Sequence, residues 1–284
     1  MLDIDPLRDG PTPVPAATVI LLRDGADGLE VLLVQRHRAT AFMGGAYVFP
    51  GGKLDPSDAG DAIRAHLPAL DEQGLLASLA DDGLDATTGR ALFVAAARET
   101  FEEAGLLIGT TTRSDALPRE RERLNAGTSF AEVLDALDAV LSLDRLVPLS
   151  RWVTPAVEKR RFDARFFLAE VSLEESQHAS VEQHETIASR WLGPAEAVAL
   201  HLDGQIDLPP PTLRTLELLS RHASAADAVR EARQARPPLV RPVFHAPADG
   251  WILALPGDPL HPEPARAIEG STRFVCRDAR WFSA

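Results

Sequence analysis

The sequence predicts an α/β protein. Aliphatic runs of strand length, Ala16 to Leu22 and Leu29 to Val34 near the start and 146–154, 162–172 and 186–192 later, are separated by stretches with helical apolar spacing. A helix from about Leu92 to Ala104, closed by Gly105, divides the early strands from the late ones. With 284 residues, 45% of them hydrophobic, the chain is long enough to bury a layered core.

Residues 1–15 carry Pro6, Pro11, Pro13 and Pro15 and read as an irregular lead-in. The first two strands form a hairpin around the glycine-bearing loop Asp24 to Gly28. Arg36 follows at the strand end, either as part of a solvated basic edge or as a contact for a phosphate. Gly44-Gly45 and Gly51-Gly52 flank a short run and let the backbone turn or come close to a ligand. Residues 59–90 hold two helical pieces, near Asp61 to Ala69 and Glu72 to Ala80, too apolar for a linker and too short for a domain. They are expected to form a small helical lid or rim beside the site, or plain surface decoration.

After a strand beginning at Leu106, helices are expected at Arg119 to Asn125 and Phe130 to Val140. In the following strand pair, Trp152, Thr154 and Arg161 are either partly core or the lining of a pocket. Glu185, opening the run 186–192, is a candidate acid at a loop edge. The main domain is read as residues 16–203. The extension 204–284 has helices at Pro209 to His222 and Ala225 to Ala235, then three short strands, Val240 to His245, Trp251 to Leu255 and Thr272 to Trp281. Packing, a homodimer contact and a partial cover over the site are equally open roles for it.

The helix before Gly105 carries the chemistry. At 100° per residue, Phe93, Ala97, Phe101 and Ala104 share one stripe, and Glu99, Glu102 and Glu103 share the opposite face. Carboxylates at these spacings repel one another and oppose the helix dipole, so stability alone does not favour them. A hard divalent cation needs several converging oxygen ligands, which a rigid helix face can supply. The competing reading is a solvated acidic face with Arg98 paired to Glu102.

Gly52, then an acid at Asp58, then Arg98-Glu99-Thr100-Phe101-Glu102-Glu103-Ala104-Gly105-Leu106 resembles the Nudix box of the Nudix hydrolases. The usual box has seven residues between the first acid and the arginine; here residues 59–97 intervene. Leu32 to His37, Gly45 and Phe49-Pro50-Gly51-Gly52 are similar to the signature of Nudix enzymes that cleave CoA and acyl-CoA, with Ala41 where that signature has arginine. Phe42-Met43, the long insertion, Arg151 to Pro155 and Arg161-Phe162-Asp163 look most like the peroxisomal acyl-CoA diphosphatase branch.

The resemblance implies an α/β/α sandwich around a mixed sheet, with a helical insertion in the box and the C-terminal extension appended. It implies Mg²⁺ (or Mn²⁺) held by Glu99, Glu102, Glu103 and the Gly52 carbonyl, and Arg98 orienting a catalytic glutamate. Glu99 or Glu185 would be the base, and Arg36, Trp152 and Arg161 would bind substrate. The favoured activity is hydrolysis of a diphosphate bond in CoA or an acyl-CoA. A Nudix pyrophosphatase for ADP-ribose, NADH or a dinucleotide, and a non-catalytic Nudix-fold sensor, are the alternatives.

A net charge of −13 argues against nucleic acid as a partner. A small polyphosphate stays admissible, because bound cations reverse the local field. Cys276 is the single cysteine, which excludes an intrachain disulfide and suits a reducing compartment. No run of eighteen apolar residues exists and the acidic start lacks a signal-peptide layout, so a cytoplasmic protein without a membrane span is expected.

Overall fold

The computed structural model describes residues 10–37, 44–68, 71–180, 186–248 and 250–284. The N-terminal hairpin comprises β1 (Val14–Gly25) and β2 (Gly28–Arg36). It outruns the aliphatic stretches because Arg23 and Glu30 pair across the ladder, Nε donating to Oε2 at 2.7 Å. Then come β3 (Tyr47–Val48), β4 (Gly51–Lys53), α1 (Asp61–Arg64), α2 (Glu72–Ser78) and α3 (Ala86–Ala104). Strands β5 (Gly109–Thr111) and β6 (Ala139–Leu141) flank α4 (Leu117–Asn125) and α5 (Phe130–Leu137). The pair β7 (Val147–Val153) and β8 (Phe162–Glu170) precedes α6 (Leu173–Ser176), β9 (Thr186–Leu192), α7 (Pro194–Leu202), α8 (Pro210–Leu219) and α9 (Ala225–Gln234). The chain closes with β10 (Leu239–Val240), β11 (Val243–His245), β12 (Trp251–Ala254), β13 (Arg273–Arg277) and β14 (Arg280–Ser283).

β1 is the axis of a mixed sheet. It runs parallel to β8 from Val14 to Leu22, and its other edge is shared by β4 at Ala16 to Thr18 and β2 at Leu22 to Gly25. β7 pairs antiparallel with β8 and β10 pairs parallel with β7, while β3 and β9 pair with β2. Strand alternation sends Ala17, Val19 and Leu21 towards α3 and α5, and Ile20 and Leu22 towards α7, α8 and α9. In β8, Phe167 and Ala169 face the first layer, and Phe166 and Leu168 the second. The result is the α/β/α sandwich that the resemblance implies.

α3 starts six residues before the expected Leu92, because the Asp85 side chain accepts a hydrogen bond from the Thr88 amide at 3.0 Å and caps it. It ends as expected at Gly105, whose φ of +72° is the left-handed conformation that a side chain disfavours. α5 is shorter than its apolar pattern. The chain leaves the helix at Asp138, with φ +49°, and Ala139–Leu141 pairs instead with Gly109–Thr111. Leu106 and Ile108 therefore enter the core as an irregular lead into β5, not as a strand.

The extension also differs from its reading. Thr272 to Trp281 is a hairpin rather than one strand, because Asp278 and Ala279, at φ +50° and +61°, turn the chain between Arg277 and Arg280. β11 to β14 form an antiparallel sheet whose Leu253, Phe274 and Trp281 share one apolar cluster with Leu33, Phe166 and Leu216. No helix among the described residues is long and apolar enough to cross a membrane.

The insertion is fastened to the sandwich. Ile63 and Leu79 are buried in the cluster under α3. Asp81 then bonds Arg151 at 2.8 Å and Arg165 at 2.6 Å, and both arginines also bind Asp163. Asp81→Ala is expected to lower the unfolding free energy by about 2 kcal/mol, less than the ~3–5 kcal/mol of a fully orphaned buried charge because Asp163 stays. Urea unfolding measures this; a loss within ~0.5 kcal/mol would show that the anchor is dispensable.

Candidate active site

The site begins where β4 meets the last turns of α3. The Gly51 amide donates to Glu103 Oε2 at 2.9 Å, which fixes the strand on the helix. Gly52 lies directly against the Glu99 carboxylate: a Cβ on Gly52 would stand within 2.5 Å of it. Glycine is required here because the carboxylate fills the volume a side chain would take.

Arg98 holds this arrangement from beneath. Its Nε and Nη2 bind the two Asp58 carboxylate oxygens at 2.8 and 2.9 Å, Nη1 reaches Glu99 and Glu102 at 2.8 Å each, and Nη2 also donates to the Lys53 carbonyl at 2.9 Å. Asp58 is 1% exposed and Arg98 7%. Asp58 is itself fixed, since its second oxygen accepts from the Asp55 amide at 2.8 Å. The acid and the arginine thus meet although thirty-nine residues separate them in sequence. Burial works against the Arg98 charge, but the contacts with Asp58, Glu99 and Glu102 outweigh it and raise the guanidinium pKa. At Glu99, burial dominates and, despite the attraction of Arg98, pushes the carboxyl up to about 7.

A cavity of about 750 Å³ opens over these groups, and Gly52, Glu99, Glu102, Glu103, Arg36 and Trp152 all line it. Across the sheet, Gly52 pairs with Ala17, Ala17 with Arg165, Arg165 with Arg151, and Arg151 with Leu239. Four strand spacings separate the glycine turn from β10, roughly 19 Å. Arg36 enters the lining from the end of β2, just past the residues that pair with β3. On the β8 and β7 side the lining includes the apolar Phe166 and Trp152, and Pro209, Pro210, Pro242 and Leu253 join them from the later part of the chain. Among the described residues, Arg36 Nε and Trp152 Nε1 are buried without a hydrogen-bond partner, and buried donors of this kind are normally satisfied. Both are suited to acceptors on a bound ligand.

Arg161 is not among the cavity-lining residues. Its Nε donates to the Thr154 carbonyl at 3.0 Å and its Nη1 to the Pro11 carbonyl at 2.9 Å, so it ties the N-terminal lead-in to the β7–β8 loop. Its neighbour Arg160 lines the cavity instead. Glu158, which the sequence reading passed over, also lines the cavity at 2% exposure. It lacks the helical spacing that exposes the other acids, and only the loop's path brings it in. Glu185 lies outside the described residues, as do Ala41, Phe42 and Met43.

The donors around Gly52 have the chemistry of a hard-cation site, three carboxylates and a main-chain carbonyl on one wall. As they stand, Glu99 and Glu102 are engaged by Arg98 and Glu103 by Gly51, and no three His, Cys, Asp or Glu side chains among the described residues are arranged to hold an ion. The donor types fit a divalent cation; the rotamers shown serve Arg98.

Fold and site together define a Nudix hydrolase. Residues 78–219 match the NUDT19 Nudix domain. Acyl-coenzyme A diphosphatase NUDT19 of Homo sapiens is 30% identical, over 93% of this chain and 84% of its own length. Its Gallus gallus counterpart is also 30% identical, over 87% and 79%. Among solved structures, a NUDIX hydrolase from Alicyclobacillus acidocaldarius aligns with a TM-score of 0.63 and 30% identity, over 77% of this chain and 96% of that one. The chain belongs to the Nudix hydrolases, in the NUDT19 family. Enzymes of this superfamily generally depend on a divalent metal.

Gly52→Ala should leave the fold intact, because the clash falls on the movable end of Glu99, yet displace that carboxylate and cut hydrolysis by about 10–100-fold. Unchanged turnover in the folded variant would separate Glu99 from the chemistry. A second expectation concerns pH in metal-free buffer. The unfolded chain loses the Glu99 proton near 4.5 while the folded chain holds it to about 7, so stability should fall as pH rises through that interval. Glu99→Gln should flatten this dependence; denaturant midpoints that keep the original slope would contradict the assignment.

Proposed function

We propose that this enzyme hydrolyses the diphosphate bond of CoA or an acyl-CoA, releasing 3′,5′-ADP and 4′-phosphopantetheine or its acylated form. The observation that carries the reading is the make-up of the cavity: Glu99, Glu102 and Glu103 beside the Gly51-Gly52 turn, and Phe166, Trp152 and Leu253 across the sheet, with Glu158 and Arg160 of the β7–β8 loop also in its lining. A nucleotide carrying a long arm that ends in an acyl chain matches such a lining better than a compact dinucleotide does. The relatives named acyl-coenzyme A diphosphatase support the same substrate class.

In this reading Glu99, Glu102, Glu103 and the Gly52 carbonyl hold Mg²⁺, or Mn²⁺ in its place. The bound cation offsets phosphate charge and lowers the pKa of a water. Arg98 fixes Glu99 and Glu102 through Nη1. Glu99 is one candidate for the base that assists attack by the water, and Glu185 is the second. Arg36 Nε and Trp152 Nε1 donate to oxygens of the substrate. The lone Cys276 accords with a cytoplasmic location.

Product analysis with Mg²⁺ and a panel of CoA, an acyl-CoA, ADP-ribose, NADH and a diadenosine polyphosphate tests the reading. Release of 3′,5′-ADP at a higher kcat/KM than any AMP-yielding reaction is expected. Preferential AMP release would overturn the CoA assignment in favour of a general nucleoside diphosphate pyrophosphatase. Glu102→Gln should lower kcat by more than about 100-fold, beyond the loss typical of an outer-shell partner, with the thermal transition kept.

A further inference from the structure

We infer that the C-terminal sheet, for which the sequence shows no catalytic role, is the chain-length gauge of this enzyme, and that the acyl end of the substrate stops against Leu253. The inference rests on the CoA reading above and adds where the acyl arm ends.

Three observations place the wall there. First, the trough has a direction. Its floor crosses from β4 through β1 and β8 to β7, and Val240 of β10 pairs with Trp152 at the last step. Pro242 follows β10 by two residues and lines the cavity. Leu253 pairs with Phe244, two residues further on, and lines it as well. The C-terminal sheet therefore roofs the end remote from the glutamates.

Second, the wall is apolar and firm. Leu253 is 5% exposed and shares a cluster with Trp152, Val240 and Phe274. Behind it, Arg273 binds both Asp258 oxygens at 2.9 Å, Arg214 donates to the Ser271 carbonyl at 2.6 Å, and His201 Nε2 contacts the Trp281 carbonyl at 2.7 Å. The first pair braces the β12–β13 connection and the other two bonds fix the sheet to α8 and α7, so the wall cannot retreat as a loose loop would. Third, an apolar wall discriminates by length alone: each methylene beyond the available space must be left in water or force the wall to move.

The test is kcat/KM for CoA and a series of acyl-CoAs of increasing chain length, in wild type, Leu253→Trp and Leu253→Ala. Wild type should show a length beyond which kcat/KM drops. Leu253→Trp should move that break to shorter chains, lowering the ratio of long-chain to free CoA turnover roughly tenfold, and Leu253→Ala should move it to longer ones. If Leu253→Trp fails to fold, the Leu253→Ala shift decides the matter alone. A break unmoved in the folded variants, or no break in wild type, overturns the gauge while leaving CoA hydrolysis intact. No 3′,5′-ADP from wild type with any member of the series would instead overturn the CoA reading itself.

Discussion

The buried pair of Arg98 and Asp58 is the contact on which the site depends. A guanidinium at this depth is tolerated only if nearly all its donors are used, and here Asp58 takes two, the Lys53 carbonyl a third, and Glu99 with Glu102 the remainder. With its contact to Lys53, the pair joins three segments: the end of β4, the short 3-10 turn carrying Asp58, and the later turns of α3. Lysine could not replace the arginine, because a point charge cannot make the bidentate contact and reach two glutamates together. The glutamates are presented to the cavity because their arginine is anchored from behind.

That anchoring explains how the box survives its insertion. The first acid and the arginine are adjacent in space, so the chain between them is free to leave the site and return. It uses this freedom to bury Ile63 and Leu79 and to send Asp81 to Arg151 and Arg165. None of residues 59–90 lines the cavity among the described residues, so the expected rim is a brace on the far side of the sheet. Arg165 and Asp163, which receive it, alternate with Ala164 and Phe166 of the cavity wall. The insertion thus supports the trough through the two faces of one strand.

Much of this was legible in sequence for local reasons. The stripe and acidic face of α3, the glycine cap and the hairpin follow from periodicity and turn chemistry, which neighbouring residues determine. What escaped depends on distant partners. Arg161 has the composition of a phosphate ligand, yet the lead-in at Pro11 captures it, while Arg160 turns inward. Glu158 sits in a loop with no pattern to mark it. The hairpin at Asp278 and Ala279 uses positive φ at two non-glycine residues, a conformation that composition does not announce.

The acidity of the chain then takes on a specific meaning at the cavity. Four carboxylates, Glu99, Glu102, Glu103 and Glu158, face three basic side chains, Arg36, Lys53 and Arg160, among the described lining residues. A diphosphate entering such a space meets a field that repels it near Gly52 and attracts it near Arg36. A divalent cation held by Glu99, Glu102 and Glu103, as proposed above, would reverse the sign at the first place. Arg98 cannot do so, because its charge is already committed to Asp58, Glu99 and Glu102. On the function proposed above, the same carboxylates would make catalysis conditional on the metal, and the apolar residues across the sheet would favour substrates with a long arm.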